Sequence, residues 1–301
     1  MRLAASTCTF PSRRLGAGGT PLVKAIEMLS ECGFKIADLN FGGFLTPNCS
    51  LARDDWEKYV DSLGECGARC GVEFSQSHAP FDSNLYRIDY PITDEKREFI
   101  LECTRRAIIA SARLGVKWVT THAQTAVTDN ELDFETNMRM NHVYYDPLVE
   151  LAKKHGTGIA IENMAEFNIP KTKMRFTAVV EEQIALIDSF NDPAVGACWD
   201  FGHAQLVYKD QIPALRKIGH RLRATHVQEN DGKNDDHYIP FIRGNTKWES
   251  LMPLLKEIGY EGDFAYEVHG FFGQIPDELR ISAGRFAYEV GCYLMSLYDN
   301  A

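Results

Sequence analysis

The stretch GACWDFGHAQ, residues 196–205, ends an apolar run with side chains that can do chemistry. Small and apolar residues lead to Trp199, and Asp200 and then His203 follow. A carboxylate or an imidazole at the edge of an apolar core costs stability unless it is paired or used. Five other apolar runs of the chain end in the same way, at His78, His122, Glu162, His226 and Glu267. All six side chains are of types that bind metal ions or transfer protons.

Four of these side chains suit a single metal ion. Glu162, Asp200, His226 and Glu267 supply three carboxylates and one imidazole. This donor set favours Mn²⁺, Mg²⁺, Co²⁺ or Zn²⁺ with open coordination positions for a ligand. Taken singly, each carboxylate has a structural alternative. Glu162 and Asp200 could cap the segments that follow them, and Glu267 could pair with an arginine. Together they favour one site for one divalent metal ion.

The elements before these residues must bring the six endings together. Short apolar runs alternate with longer amphipathic ones along the chain, which predicts eight strands and eight helical segments. The first strand is predicted over Leu3–Cys8. The first helix is predicted to have Thr20 as its N-cap, Pro21 at its first position and Gly33 as its terminator.

Strands that alternate with helices indicate parallel βαβ units, and eight units predict an α/β fold of the (β/α)₈ TIM-barrel class. No linker or change in composition divides residues 1–301, so we expect a single domain. The competing architecture is an open doubly wound sheet, which usually carries a glycine-rich phosphate loop after its first strand. PSRRLGAGGTP has Gly16, Gly18 and Gly19 but lacks that spacing, so we expect a plain loop. In a barrel the carboxyl ends of all strands converge on one face.

Charge and hydropathy exclude several classes of partner. The formal net charge is −10, whereas nucleic-acid binding depends on Lys and Arg that neutralise phosphates. No apolar run approaches the roughly 18 residues of a membrane span, and the opening MRLAASTCTFP is too short and polar for a signal peptide. Eight scattered cysteines without a CxxC pair are expected to be reduced thiols. We therefore expect a cytoplasmic protein with a small-molecule partner; the sequence leaves a homo-oligomer open.

Five short motifs resemble a known group of enzymes: HAP at 78–80, IEN at 161–163, DFGH at 200–203, THVQENDGKNDDH at 225–237 and YEV at 266–268. With them the chain resembles the sugar-phosphate isomerase/epimerase superfamily of xylose isomerase-like TIM barrels. That group includes ketose 3-epimerases, inosose isomerases and dehydratases, and hydroxypyruvate isomerases. The resemblance implies one divalent metal bound by Glu162, Asp200, His226 and Glu267, with the two glutamates also acting as the proton-transfer pair.

A bound metal could chelate the carbonyl and the neighbouring hydroxyl oxygen of a ketose and stabilise an enediolate. Carboxylates on opposite faces of that planar species could remove a proton and return one. We therefore expect a metal-dependent sugar isomerase or epimerase of carbohydrate metabolism, acting on a small sugar or inosose. His203 is similar to a substrate-contacting histidine of the family. The full set of expected substrate contacts is His78, His122, His203, Asp235, His237 and Arg243.

A non-catalytic sugar-binding relative should have lost a metal ligand, and the sequence shows no such loss. Two enzymatic alternatives also stay open. A carbohydrate lyase, of the C-glycoside deglycosylase subunit or inosose dehydratase type, would use the same barrel with a base near the metal. His142, which begins the predicted helix HVYYDPLVELAKKHG, could be that base, although we expect a capping or surface role. The apurinic endonucleases also share the fold and bind three zinc ions. Their additional ligands match His78, His122, His203, Asp235 and His237, but the acidic charge disfavours a nuclease.

Overall fold

The computed structural model describes residues 1–11, 19–88, 90–126, 134–166 and 174–301. Its strands are β1 (Arg2–Ser6), β2 (Ile36–Asn40), β3 (Glu73–His78), β4 (Trp118–His122), β5 (Gly158–Glu162), β6 (Val195–Asp200), β7 (Leu222–His226) and β8 (Asp263–Tyr266). The helices of the described residues are α1 (Leu22–Cys32), α2 (Trp56–Cys70), α3 (Asp94–Arg113), α4 (Phe134–His155), α5 (Val180–Phe190), α6 (Phe201–Val207), α7 (Ile212–Ile218), α8 (Trp248–Glu257), α9 (His269–Gly273) and α10 (Arg280–Asp299).

The eight strands are parallel and form one sheet in chain order, with β8 beside β1. A parallel bridge between Val227 and Tyr266 joins the remaining edges. There the Val227 N–H donates to the Ala265 carbonyl at 2.7 Å, and the Glu267 N–H donates to the Val227 carbonyl at 3.0 Å. These contacts confirm the predicted (β/α)₈ barrel.

Helices cover the outside of the barrel with apolar faces. In α1 the buried residues recur at helical spacing, and Gly33 ends the helix with a φ of 112°, a conformation that glycine adopts without strain. The predicted N-cap was wrong by one residue. Pro21 occupies the N-cap position, because the Thr20 hydroxyl donates to the Phe10 carbonyl instead of capping the helix.

Two other predicted boundaries also moved. Strand β1 ends at Ser6 rather than at Cys8, because the Ser6 hydroxyl accepts a hydrogen bond from the Cys8 N–H at 3.4 Å and starts a short 3₁₀ turn. Helix α4 begins at Phe134, eight positions before His142. His142 therefore lies inside a helix and does not open one.

The barrel interior is filled by small side chains and closed at one end. Ala4 and Ala265 pack with Ile36 on one side, and Ala160, Cys198 and Ala224 form a second group. At the amino-terminal end of the strands the Trp118 ring lies over Gly158, where a β-carbon would be 2.3 Å from the ring. The guanidinium of Arg223 stacks on that ring at 5.5 Å. This layer closes the barrel opposite the mouth, the end at which the strands' carboxyl termini meet.

Among the described residues, no helix is both long enough and apolar enough to span a membrane. The glycine-rich segment that the sequence predicts to be a plain loop falls mostly at residues 12–18, which lie outside the described part of the chain.

Candidate metal centre and active site

The mouth of the barrel brings the four predicted metal ligands together. Glu162, Asp200 and His226 are the last residues of β5, β6 and β7, and Glu267 directly follows β8. One ligand atom from each of the four lies within 4.8 Å of the others. Their exposed fractions are 1% for Glu162, 0% for Asp200 and His226, and 9% for Glu267. Three carboxylates are thus buried around one imidazole.

His226 lies between the two glutamates. Its Nδ1 is 2.8 Å from Oε1 of Glu162 and 3.7 Å from Oε2 of Glu267. On the other side of Glu267, Oε1 accepts a hydrogen bond from the Asn40 amide at 3.4 Å. Nδ1 of His226 therefore faces the same space as the carboxylates and is the ring nitrogen available to a shared ligand.

Asp200 has two tasks, one for each carboxylate oxygen. Its Oδ1 accepts a hydrogen bond from the His203 N–H at 2.7 Å and so caps the start of α6. Its Oδ2 is buried and has no hydrogen-bond partner among the described residues. The capping alternative therefore accounts for only one of the two oxygens.

A second group of donors meets at the other oxygen of Glu162. Oε2 of Glu162 lies 3.0 Å from Nε2 of His122 and 3.3 Å from Nε2 of His78. The two Nε2 atoms are 3.1 Å apart, and the Nδ1 atom of His78 is held by the Ala79 carbonyl at 2.8 Å. Glu162 therefore faces two sets of donors, one with each oxygen.

A third group combines His203 with the long loop after β7. Oδ2 of Asp235 is 3.4 Å from Nε2 of His203 and 3.2 Å from Nε2 of His237. The Asp235 Oδ1 atom accepts a hydrogen bond from the Gln228 amide at 2.7 Å. The loop places Asp235 and His237 at the mouth rather than in a purely solvated turn.

Two other candidates are bonded to residues outside these groups. Arg243 is exposed and donates to the Tyr238 hydroxyl at 2.8 Å, with its guanidinium over that ring. His142 contacts Asp146 and Ser189, both at 2.9 Å. Ser189 belongs to α5, so His142 links two outer helices, as the expected surface role requires, and the alternative of a base at the mouth was wrong.

Sequence reasoning missed two side chains of this region. Asp38, in the middle of β2, is 0% exposed and lies 3.3 Å from Nε2 of His226. His269 begins α9, and its ring lies against that of His237 with centroids 4.0 Å apart. The signal for Asp38 was a carboxylate inside the apolar run FKIADLN, and the signal for His269 was its position two residues after Glu267.

The electrostatics of the mouth depend on a balance between carboxylates and imidazoles. Burial alone would raise the pKa of the Glu162 carboxyl, but His226 and His122 hold it well below its usual range. Burial also raises the pKa of Glu267, but His226 and His237 lower it to about 2. Burial raises the pKa of Asp200 to about 6. The neighbouring imidazoles therefore favour the ionised forms of Glu162 and Glu267, whereas Asp200 is the carboxylate that burial brings closest to protonation.

The donor set fits a divalent cation. In the described part of the chain the ion pairs of Glu162, Asp200 and Glu267 are all with histidines, which carry charge only when protonated. A metal ion would replace those protons. Burial raises the pKa of the neighbouring Cys198 thiol to about 12, so it stays protonated and is a poor ligand. Oxygen and imidazole donors remain, which suits a hard or borderline ion.

Comparison with known families agrees with this architecture. Residues 24–284 match the family described as xylose isomerase-like TIM barrel. The chain belongs to this family. Two curated relatives are named as uncharacterised proteins. MJ1311 of Methanocaldococcus jannaschii is 28% identical over 254 residues, covering 83% of this chain and 82% of that protein. The protein y4fM of Sinorhizobium fredii is 25% identical over 180 residues, covering 58% of this chain and only 54% of its own length.

Solved structures with the same fold include several sugar epimerases. A D-tagatose 3-epimerase-like protein superposes with a TM-score of 0.74 at 20% identity, covering 100% of this chain and 99% of its own. A D-psicose 3-epimerase, crystallised in the presence of D-fructose, gives 0.73 at 13% identity, covering 98% and 99%. An AP endonuclease, family 2, from Brucella melitensis gives 0.65 at 15% identity, covering 93% and 98%. At these identities the likeness concerns the fold.

Proposed function

We propose that the protein is a divalent-metal-dependent isomerase or epimerase of a small sugar or inosose. One observation carries the proposal: four ligand atoms, from three carboxylates and one imidazole, lie within 4.8 Å of one another at the barrel mouth. The sugar epimerases among the structural neighbours support the choice of substrate class. Mn²⁺, Mg²⁺, Co²⁺ and Zn²⁺ all suit this donor set.

The ion would be held by Glu162, Asp200, His226 and Glu267, and it would supply positive charge that stabilises an enediolate. The chain's own residues must move the proton. Glu162 and Glu267 stand at the ends of β5 and β8, three strands apart around the barrel. They therefore reach a substrate in the mouth from different sides, which is the arrangement that a two-base proton transfer requires.

The two glutamates are not equivalent. Glu162 is 1% exposed, and both of its oxygens lie within 3.0 Å of imidazole nitrogens. The Glu267 side chain is 12% exposed, and its closest imidazole nitrogens are 3.7 Å away. Glu267 is thus the more open carboxylate, and we assign it the proton exchanged on the side of the substrate nearer solvent. Glu162 serves the buried side.

Other side chains of the mouth would hold the sugar. Imidazole nitrogens of His78, His122 and His203 lie 3.3, 3.0 and 3.6 Å from oxygens of the Glu162 carboxylate, and such groups bind hydroxyls as donors or acceptors. The Phe81 ring lies 3.9 Å from the His122 ring and offers an apolar face for the C–H side of a sugar. Arg243, bound to Tyr238, is assigned no role at the metal centre.

The test is a panel of ketoses, inososes and phosphorylated ketoses, incubated with the Mn²⁺-loaded protein in D₂O and read by NMR and mass spectrometry. We expect one class to be epimerised or isomerised with solvent deuterium on the reacting carbon. EDTA-treated protein and the variant Asp200→Asn should show no conversion. Conversion without deuterium would contradict the two-carboxylate mechanism. Loss of water or of an aglycone would identify the lyase alternative instead.

A second candidate function, a three-metal phosphoester hydrolase, rests on a specific observation. The two oxygens of Glu162 face separate groups of donors, and a third group is formed by His203, Asp235 and His237. Each of these groups offers at least three ligand atoms that lie within 4.8 Å of one another. The net charge of −10 opposes binding of a DNA duplex, so we rank this function second.

Metal stoichiometry separates the two candidates. Elemental analysis of the purified protein should give one divalent ion per chain for the sugar isomerase. Three ions per chain, together with cleavage of an oligonucleotide that carries an abasic site, would favour the hydrolase. The variant His78→Gln provides a control, because it removes a ligand from the second group and leaves the four-ligand group intact.

A further inference from the structure

A buried carboxylate stands behind the imidazole of the proposed metal centre. Asp38 lies in β2, across the barrel from β7, and both Asp38 and His226 are 0% exposed. Oδ2 of Asp38 is 3.3 Å from Nε2 of His226. That nitrogen makes no hydrogen bond of good geometry with the described residues, and Oδ2 of Asp38, at 3.3 Å, is the carboxylate oxygen within its reach.

An irregularity between β2 and β3 puts Asp38 in this position. Ala37 pairs with Phe74 and Asp38 pairs with Gln76, which leaves Ser75 as an extra residue of a β-bulge. The bulge sets Gln76 beside Asp38 inside the barrel. The Gln76 amide donates to Oδ2 of Asp38 at 3.2 Å and to the Thr225 carbonyl at 3.1 Å. One amide thereby ties the carboxylate to the strand that carries His226.

The local hydrogen bonding of Asp38 does not by itself explain a carboxylate here. Its Oδ1 is buried without a hydrogen-bond partner among the described residues, and such a group is costly in a barrel interior. The two nitrogens of the His226 ring suggest a role for the Asp38 carboxylate. Nδ1 faces the carboxylates of the metal centre, so it must be free of a proton to bind an ion, and the ring proton must then sit on Nε2.

We propose that Asp38 is the positioning residue of His226: it accepts the Nε2 proton and keeps Nδ1 directed at the metal, with Gln76 holding Asp38 in place. This inference rests on the proposed metal-dependent function. Carboxylate partners of this kind orient metal-binding histidines and raise their basicity. Asp38 does not itself touch the metal or the substrate, and its effect is on metal affinity.

The test is titration calorimetry of Mn²⁺ with the full-length, metal-free protein. Asp38→Asn keeps the shape of the side chain but weakens the acceptor, and we expect Mn²⁺ affinity to fall by roughly 10- to 100-fold. Gln76→Met should lower it by less. The matched control is Asp263→Asn, which alters a carboxylate of the same barrel that is 6% exposed and bonded to Arg2. Its Mn²⁺ affinity should equal that of the wild type.

Each failure has its own signature. Wild-type protein that binds no divalent ion would remove the proposed function, whereas a folded Asp38→Asn with wild-type affinity would overturn the role of Asp38 alone. If Asp38→Asn does not fold, ¹⁵N-histidine NMR of the Zn²⁺-loaded wild type decides. His226, assigned with His226→Gln, should carry its proton on Nε2 and bind through Nδ1. A proton on Nδ1 would overturn the proposal.

Discussion

The two ends of the barrel interior are formed by the same eight strands but differ in how their charged groups are paired. At the closed end charges are satisfied within the protein: Arg2 donates to Asp263 at 2.9 Å, and Arg223 donates to the His220 and Leu222 carbonyls at 2.7 and 3.1 Å. At the mouth, Oδ2 of Asp200 is buried and accepts no hydrogen bond from the described residues. The closed end therefore contributes to the stability of the barrel, whereas the mouth carries negative charge that a bound cation would neutralise.

The largest effect is expected from a mouth variant. Glu267→Gln should lower kcat by about 10²-fold or more at saturating metal, because it removes one of the two groups that transfer the proton. Glu162→Gln should have a similar effect. Steady-state kinetics with the substrate found in the panel measures both. Asp263→Asn at the closed end should keep its kcat, and a comparable loss in that variant would erase the distinction between the ends.

Metal binding should stabilise the folded protein, and this stabilisation should depend on the ligands at the mouth. At Mn²⁺ concentrations about 100 times the dissociation constant, the free energy of unfolding should rise by about 2.7 kcal/mol. Urea denaturation with Mn²⁺ and with EDTA measures the difference. Asp200→Asn should fold without metal but lose most of this increment, because an amide is a poorer ligand for a hard cation. An undiminished increment would mean that Asp200 serves only as a helix cap.

A closed-end variant should lower stability and leave metal binding intact. In Gly158→Ala the new β-carbon would lie 2.3 Å from the Trp118 ring and 2.9 Å from the Ala194 carbonyl oxygen. Overpacking of this kind costs about 1–3 kcal/mol. The control Gly43→Ala, with nothing within 4 Å of the added carbon, should be nearly neutral. Urea denaturation and Mn²⁺ calorimetry of both variants check the prediction, and weakened Mn²⁺ binding in Gly158→Ala would contradict it.

The smallest effect concerns pH and the loop beside the mouth. Oε2 of Glu182 accepts a hydrogen bond from the Thr177 N–H at 3.0 Å, and Thr177 in turn donates to the Glu162 carbonyl. Burial raises the pKa of Glu182 from 4.5 to about 7. The folded state therefore binds the proton more tightly than the unfolded state. This contribution is present below about pH 4.5 and is lost as pH rises through about 7.

Glu182→Gln should remove that part of the pH dependence. The melting temperature of the metal-free variant should fall less than that of the wild type between acidic and neutral pH. The sign is decisive: a variant that loses more stability than the wild type as pH rises would show that ionised Glu182 stabilises the loop. Glu181→Gln, a change of the neighbouring exposed carboxylate, is the matched control.

Much of this organisation could be predicted from the sequence. The sequence predicted the strands that end at His78, His122, Glu162, Asp200 and His226, because a polar side chain after an apolar run marks the carboxyl end of a strand. In a parallel barrel these carboxyl ends converge on one face. The sequence predicted the first residues of helices less accurately. Thr20 has the chemistry of an N-cap, but its hydroxyl is bonded to Phe10, a residue brought near by the barrel.

The sequence alone determined which side chains at the strand ends reach the mouth, since that depends on local alternation and on the parallel direction of the strands. Only the tertiary structure decided how they group. The division of Glu162 between two sets of donors, the hydrogen bond of Arg243 to Tyr238 and the contact of Asp38 with His226 all depend on register and loop path. The pairing of β2 with β3, which sets Gln76 beside Asp38, depends on an extra residue at Ser75. No local pattern reveals it, because it is determined by packing between strands that are distant in sequence.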